Sequence, residues 1–310
     1  MSPAAIEPAA AFARARRILD AARPLRFALP ERGVEIAALD WGGDGPVALL
    51  HHANGFCKGV WGLVAEGLRA RFRVVAVDAR GHGDSSRPEG EEAYTWERFA
   101  EDLLAVAERL AAEAPGGRIA VGVGHSFGGT STLGAAARRP GLFERIVLVD
   151  PVTPPPPAEV GPERASHVQS LVDGARKRRA DWPSRVEARA WWAERELFQD
   201  WLPDALDLYV LDGLRDAPDG SVVLKCPGEV EGAVFAAGEG FDVRALARGV
   251  ATPALWLHAV RGSFSRATYD ALAASMRAAR VESVDAGHLV PMERPDLVID
   301  AVQRFVAEGA

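Results

Sequence analysis

Ser126 stands in the run Gly124-His125-Ser126-Phe127-Gly128, with an apolar stretch, Ile119 to Gly124, leading into it and a helix-like pattern following it. On a strand-to-helix turn the backbone crowds a side chain from both sides, so small neighbours are needed if a hydroxyl is to project beyond the strand ends. A hydroxyl is a poor nucleophile until a base removes its proton, so the pattern predicts a histidine brought to Ser126 by the fold. Of the seven histidines, His288 is the candidate, because it sits in Asp285-Ala286-Gly287-His288-Leu289, after the last apolar run and before Pro291-Met292-Glu293-Arg294-Pro295 opens a C-terminal helix. A loop at the end of the final strand would place it beside the serine, and Gly287 allows a tight approach. His51 and His52 belong to an early loop and His82 to another, His125 adjoins the serine and points elsewhere, His167 falls in a helical insertion, and His258 ends a strand.

The elements that must position these residues show in the apolar pattern. Short runs, Val47 to His52, Val74 to Asp78, Ile119 to Gly124, Ile146 to Asp150 and Ala254 to Ala259, alternate with helix-like stretches at Val60 to Ala70, Trp96 to Ala114 and Thr130 to Arg139. That rhythm predicts an α/β fold, a mostly parallel central sheet flanked by helices. Arg26 to Leu29 and Glu35 to Trp41 read as an antiparallel edge hairpin ahead of it, and Ala11 to Ala22 as a short amphipathic helix. At Pro151 the rhythm stops, and a charged region containing Trp182, Trp191, Trp192 and Trp201 follows, with helical periodicity until about Val250. The expected organisation is an N-terminal helical extension (1–24), a core in two parts (25–157 and 243–310) and an inserted, mainly helical cap (158–242). The tryptophans are expected to pack the cap's own core.

Composition narrows the function. With 310 residues, 48% hydrophobic and 25% charged, the chain is long enough for a large core, and 36 Lys+Arg against 43 Asp+Glu give a net charge of −7. Basic residues are scattered apart from Arg176-Lys177-Arg178-Arg179, read as a solvated helix face, so nucleic acid is not an expected partner. No stretch approaches a membrane span or a signal peptide, so a cytoplasmic protein with a small-molecule substrate is the expectation. Cys57 and Cys226 read as free thiols with no activating neighbour, and no metal-ligand spacing or cofactor motif is seen.

Gly124-His125-Ser126-Phe127-Gly128-Gly129, Asp78-Ala79-Arg80-Gly81-His82-Gly83-Asp84-Ser85 and Ala286-Gly287-His288-Leu289-Val290-Pro291-Met292-Glu293-Arg294-Pro295, in the order the chain holds them, resemble the capped branch of the α/β-hydrolase superfamily. The likeness covers roughly residues 25–150 and 250–308. Dehalogenases and epoxide hydrolases of this fold use an aspartate where this chain has Ser126, so serine implies acyl-enzyme chemistry. In most of the family the triad acid follows the penultimate strand, but the similar stretch His258-Ala259-Val260-Arg261-Gly262 has glycine there. Some members carry the acid one strand earlier, which points to Asp150; Asp285 is the alternative, with Asp270 and Asp242 set aside in a helix and at the cap junction. Phe127, following the nucleophile, would give one oxyanion N–H. Leu50-His51-His52-Ala53-Asn54-Gly55-Phe56 is similar to the family's second oxyanion loop, whose aligned donor is Asn54, the doubled histidine leaving the frame open by one residue. The resemblance implies a carboxylic-ester hydrolase, with a carbon–carbon bond hydrolase or lactonase on the same residues as the alternative; hydrolase-like ligand receptors are a different class sharing the pattern.

Overall fold

The computed structural model describes residues 12–155, 157–238 and 241–308. In chain order its strands are β1 Arg23–Leu29, β2 Val34–Asp40, β3 Val47–His51, β4 Arg73–Val77, β5 Ile119–His125, β6 Phe143–Val149, β7 Asp181–Trp182, β8 Leu214–Asp216, β9 Val222–Leu224, β10 Ala254–Ala259 and β11 Ala279–Val284. Eight of them form one sheet in the order β1-β2-β4-β3-β5-β6-β10-β11. β1 and β2 make an antiparallel hairpin at its edge and β2 meets β4 antiparallel, while every pairing from β4 to β11 is parallel.

The continuous apolar runs follow from coverage on both faces. Along β3, Ala48 and Leu50 point into one buried cluster, with Val64 and Leu68 of the helix Gly62–Leu68 and Val298, Val302 and Phe305 of the helix Pro295–Ala307. Val47 and Leu49 point into the other, with Phe99, Leu103 and Val106 of the helix Trp96–Glu113 and Leu133 of the helix Phe127–Arg138. Two-residue alternation thus fills two apolar layers, and no position in β3 or β5 is left for a solvent-facing side chain.

Two boundaries differ from the sequence expectation. The helix expected from Ala11 to Ala22 runs Ala13–Asp20 and buries Ala15 and Ile18, with Ala11 outside the described residues. β1 begins at Arg23, so a boundary at 24/25 would cut the edge strand. Arg23 pairs in register with Asp40 and bridges its carboxylate at 3.1 Å, polar edge pairing that a search for apolar runs passes over. Pro24 is tolerated because an edge strand can spare the N–H.

Between β6 and β10 lie the helices Pro162–Lys177, Arg185–Ala193, Pro203–Gly213 and Gly228–Ala237, and also a small antiparallel sheet ordered β7-β9-β8. Strands of two or three residues leave no alternation to read, which is why a mainly helical segment was all the pattern showed. Trp192 stacks on Tyr209 at 4.7 Å between ring centroids and meets Trp182 at 4.9 Å, while Phe198 meets Trp201 at 4.9 Å. These rings belong to the same apolar cluster as Ala48 and Leu50 of β3, and the helix Pro203–Gly213 packs on the segment 58–61 that follows the Asn54–Gly55 turn and on the helices Ala13–Asp20 and Gly62–Leu68.

Candidate active site

Ser126 sits at φ 55°, ψ −123°, between the last residue of β5 and the first of the helix Phe127–Arg138. A non-glycine residue there stores roughly 1–3 kcal/mol of strain. The turn can be this tight because a Cβ on Gly124 would lie 2.3 Å from the Gly128 carbonyl oxygen, and one on Gly128 would lie 2.4 Å from those of His51 and His52. The Ser126 N–H donates to the Val149 carbonyl at 2.9 Å, tying the turn to the end of β6.

His288 Nε2 is 2.9 Å from Ser126 Oγ, and His288 Nδ1 is 2.7 Å from Asp150 Oδ2. With the imidazole neutral, Nδ1–H donates to the carboxylate and Nε2 accepts the serine proton, the tautomer a general base needs. The loop bearing His288 is clamped at three points. His125 Nε2 donates to the His288 carbonyl at 2.8 Å. Glu293 accepts the Gly287 and Leu289 N–H groups at 2.6 and 3.1 Å. Gly287 makes room for that carboxylate, since a Cβ would lie 2.6 Å from Glu293 Oε1. Burial, with a smaller contribution from His288, lowers the His125 pKa to about 3, so its ring is a neutral strut.

Asp150 is fully buried at φ 41°, with Oδ1 accepting the Ala259 N–H at 3.0 Å. The Tyr269 hydroxyl lies 3.3 Å from that oxygen and 2.8 Å from the Pro151 carbonyl. Gly262 explains the vacancy at the usual acid position: a Cβ there would lie 2.7 Å from Asp150 Oδ2. Because β6 and β10 are neighbours, their ends open onto one space, and a carboxylate from one end fills the room that a side chain at the other would need. Asp285 is 82% exposed and bonds Arg261 instead of His288, so the structure does not bring it to the site. Asp270 bonds Arg266 and Asp242 caps the helix Val243–Gly249, both away from the histidine.

Phe127 opens its helix, so its N–H lacks an intrahelical acceptor, while its ring is buried edge-on against Phe99 at 4.7 Å. For the second loop, β3 ends at His51, and His52, Ala53 and Asn54 follow it. His52 Nε2 accepts the Ala79 N–H at 3.0 Å, and its Nδ1 lies 2.7 Å from the Ala53 carbonyl. Burial, then His82 and His51, hold this ring neutral, so Nδ1–H donates to Ala53. The Ala53 carbonyl and the Asn54 N–H belong to one peptide group, and a bond to the carbonyl polarises the N–H.

The basic run is exposed at Arg176, Lys177 and Arg179, as its composition suggested, and departs from that at one residue. Arg176 and Lys177 are exposed at the end of their helix, but Arg178 turns inward and pairs with Glu231 and the Tyr209 hydroxyl. Burial pushes both thiols up, leaving Cys57 and Cys226 protonated in the interior. The supports from His125, Tyr269 and Arg178 have no local sequence signal, since each acts from an element remote in the chain, while Glu293 sits only four to six residues from the groups it accepts from.

A family model described as the alpha/beta hydrolase family matches residues 48–301, and the chain belongs to that family. Among curated relatives, a 2-(acetamidomethylene)succinate hydrolase of Mesorhizobium japonicum is 34% identical over 35% of this chain and 36% of its own length. A bifunctional esterase/perhydrolase of Acinetobacter calcoaceticus is 36% identical over 39% of this chain and 43% of its own. The chain therefore matches well under half the length of these relatives. The solved structure of E-2-(acetamidomethylene)succinate hydrolase superposes with a TM-score of 0.77 over 92% of this chain and 99% of that one, at 23% identity, a likeness of fold. Among the described residues no helix is long and apolar enough to cross a membrane.

Proposed function

We propose that the protein is a serine hydrolase that cleaves carboxylic esters of small to medium acyl substrates through an acyl-enzyme on Ser126. The observation that carries this reading is the unbroken line Ser126 Oγ, His288 Nε2, His288 Nδ1, Asp150 Oδ2, with bonds of 2.9 and 2.7 Å. As Oγ attacks the acyl carbon, Nε2 takes its proton and the imidazolium is stabilised by Asp150. The carbonyl oxygen, now negative, receives the N–H groups of Phe127 and Asn54; one such donor is worth about 100- to 1,000-fold in kcat. Collapse breaks the ester C–O bond, and the imidazolium returns the proton to the leaving alkoxide. Water then gives its proton to the same nitrogen and attacks the acyl carbon; collapse breaks the acyl bond to Ser126 Oγ, which takes that proton back, and the acid is freed. The esterase among the relatives supports the ester as the bond cleaved.

Fluorophosphonate treatment followed by adduct mapping tests the nucleophile: Ser126 is expected to carry the label, and a folded protein left unlabelled there would rule out the reading. A panel of p-nitrophenyl esters, with Ser126→Ala as control, then grades acyl length. Faster turnover of lactones or dienol-diketones than of any ester would keep Ser126 and His288 but replace the bond. Saturable binding with turnover below about one per hour, unchanged in Ser126→Ala, would make the protein a receptor.

A further inference from the structure

The Asn54–Gly55 turn is gripped from two sides. From the sheet side, His52 holds the Ala53 carbonyl and His82 Nε2 accepts the Gly55 N–H at 3.1 Å. From the inserted segment, Tyr209 on the helix Pro203–Gly213 lies 3.2 Å from the Gly55 carbonyl, and Asn54 Nδ2 donates at 2.9 Å to the carbonyl of Glu231 on the helix Gly228–Ala237. Arg178, just beyond the helix Pro162–Lys177, links the two: Nη2 donates to the Tyr209 hydroxyl at 3.0 Å and Nη1 pairs with the Glu231 carboxylate. A tyrosine hydroxyl has one proton; because it accepts from Arg178, that proton is free for Gly55. Gly55, at φ 80°, leaves the space this requires, since a Cβ there would lie 2.6 Å from Glu231 Oε1.

We propose that Tyr209, Arg178 and Glu231 are positioning residues for the oxyanion site, fixing the Asn54 N–H through their grip on the Asn54–Gly55 turn. The inference rests on the reading of Asn54 as an oxyanion donor. An oxyanion donor is effective in proportion to its preorganisation, and this one sits on a loop whose neighbouring carbonyl is held from another part of the fold.

Tyr209→Phe removes one oxygen and keeps the stacked ring. The expected result is a fall in kcat of about 10- to 100-fold with KM for the same ester within about two-fold, and phosphonylation of Ser126 slowed by the same factor as kcat/KM. Glu231→Gln keeps the main-chain carbonyl that Asn54 bonds but removes the charge holding Arg178; it is expected to move the same quantities in the same direction, and carries the test where Tyr209→Phe does not fold. A variant that melts earlier but retains kcat and phosphonylation rate per folded molecule would overturn the proposal. Absent labelling and turnover in the wild type would instead sink the hydrolase reading, a result distinct from unchanged variants of an active enzyme.

Discussion

Asp150 and Gly262 are one choice made at two positions. The Asp150 carboxylate occupies space that any side chain at 262 would enter, and the Ala259 N–H that it accepts comes from the end of the neighbouring strand. Asp150→Asn keeps the shape but offers His288 Nδ1 an amide that satisfies the wrong tautomer. The expected outcome is a kcat loss on the order of 10,000-fold with little change in KM. Gly262→Asp combined with Asp150→Ala, which empties that space, should return part of the activity lost in Asp150→Ala alone, because a carboxylate would again reach the space beside Nδ1. Steady-state kinetics of the single and double variants check both statements; near-wild-type turnover in Asp150→Asn would remove this residue from the mechanism. Ser126, His288 and Phe127 were legible in sequence because strand, turn and helix signals are local to them. Asp150 could be read only through resemblance, and its geometric reason, the bare Cα of Gly262, requires two strands distant in sequence to be known as neighbours.

At the scale of elements, one buried lysine joins three segments. Lys58 follows the Asn54–Gly55 turn, and its Nζ lies 2.8 Å from Asp78 just after β4, 2.8 Å from Asp84 and 3.1 Å from Asp212 near the end of the helix Pro203–Gly213. Lys225, after β9, adds a bridge to Asp84 at 2.7 Å. Burial opposes the charge on Lys58, yet Asp78, Asp212 and Asp84 together hold its pKa well above the ordinary lysine value. Lys58→Met would leave a fully buried Asp78 and a nearly buried Asp212 without their cation. Removing one partner of a buried pair typically costs about 3–5 kcal/mol, so urea unfolding should show a loss of that order, whereas a loss below about 1 kcal/mol would mean that water or Lys225 replaces it. The sequence displayed the glycine-rich run from Asp78 to Ser85 as a structural turn, which it is. Nothing local marked Lys58 or Asp212 as its partners, since ion pairing between segments leaves no periodicity. The same limit hid β7, β8 and β9, while the long runs of the central sheet were readable because burial on both faces admits only apolar residues.

For the whole molecule, buried histidines set how the fold responds to acid. Burial, aided by neighbouring rings or arginines, lowers His51 to about 3, His82 to about 4 and His125 to about 3, and His52 lies well below its usual value. All four are neutral in the folded chain. The unfolded chain takes up protons on these rings as pH falls through about 6.5, while the folded chain does not until pH 3–4, so the unfolded state binds more protons across that window. Stability is therefore complete above about pH 6.5 and declines as pH falls, each histidine contributing up to about 1.4 kcal/mol per pH unit. Asp84, held at about 2 against burial mainly by Lys58 and Lys225, adds its own loss only below about pH 4. Because these rings support the turn around Asn54 and the loop of His288, acid should loosen the site as it loosens the fold. The measurement is the urea midpoint of Ser126→Ala, chosen so that the proposed nucleophile's reactivity plays no part, at pH 7.5, 6.5, 5.5 and 4.5. A midpoint that drops steeply between 6.5 and 4.5 is expected, and a flat one across that range would mean that the buried rings are protonated in the folded chain.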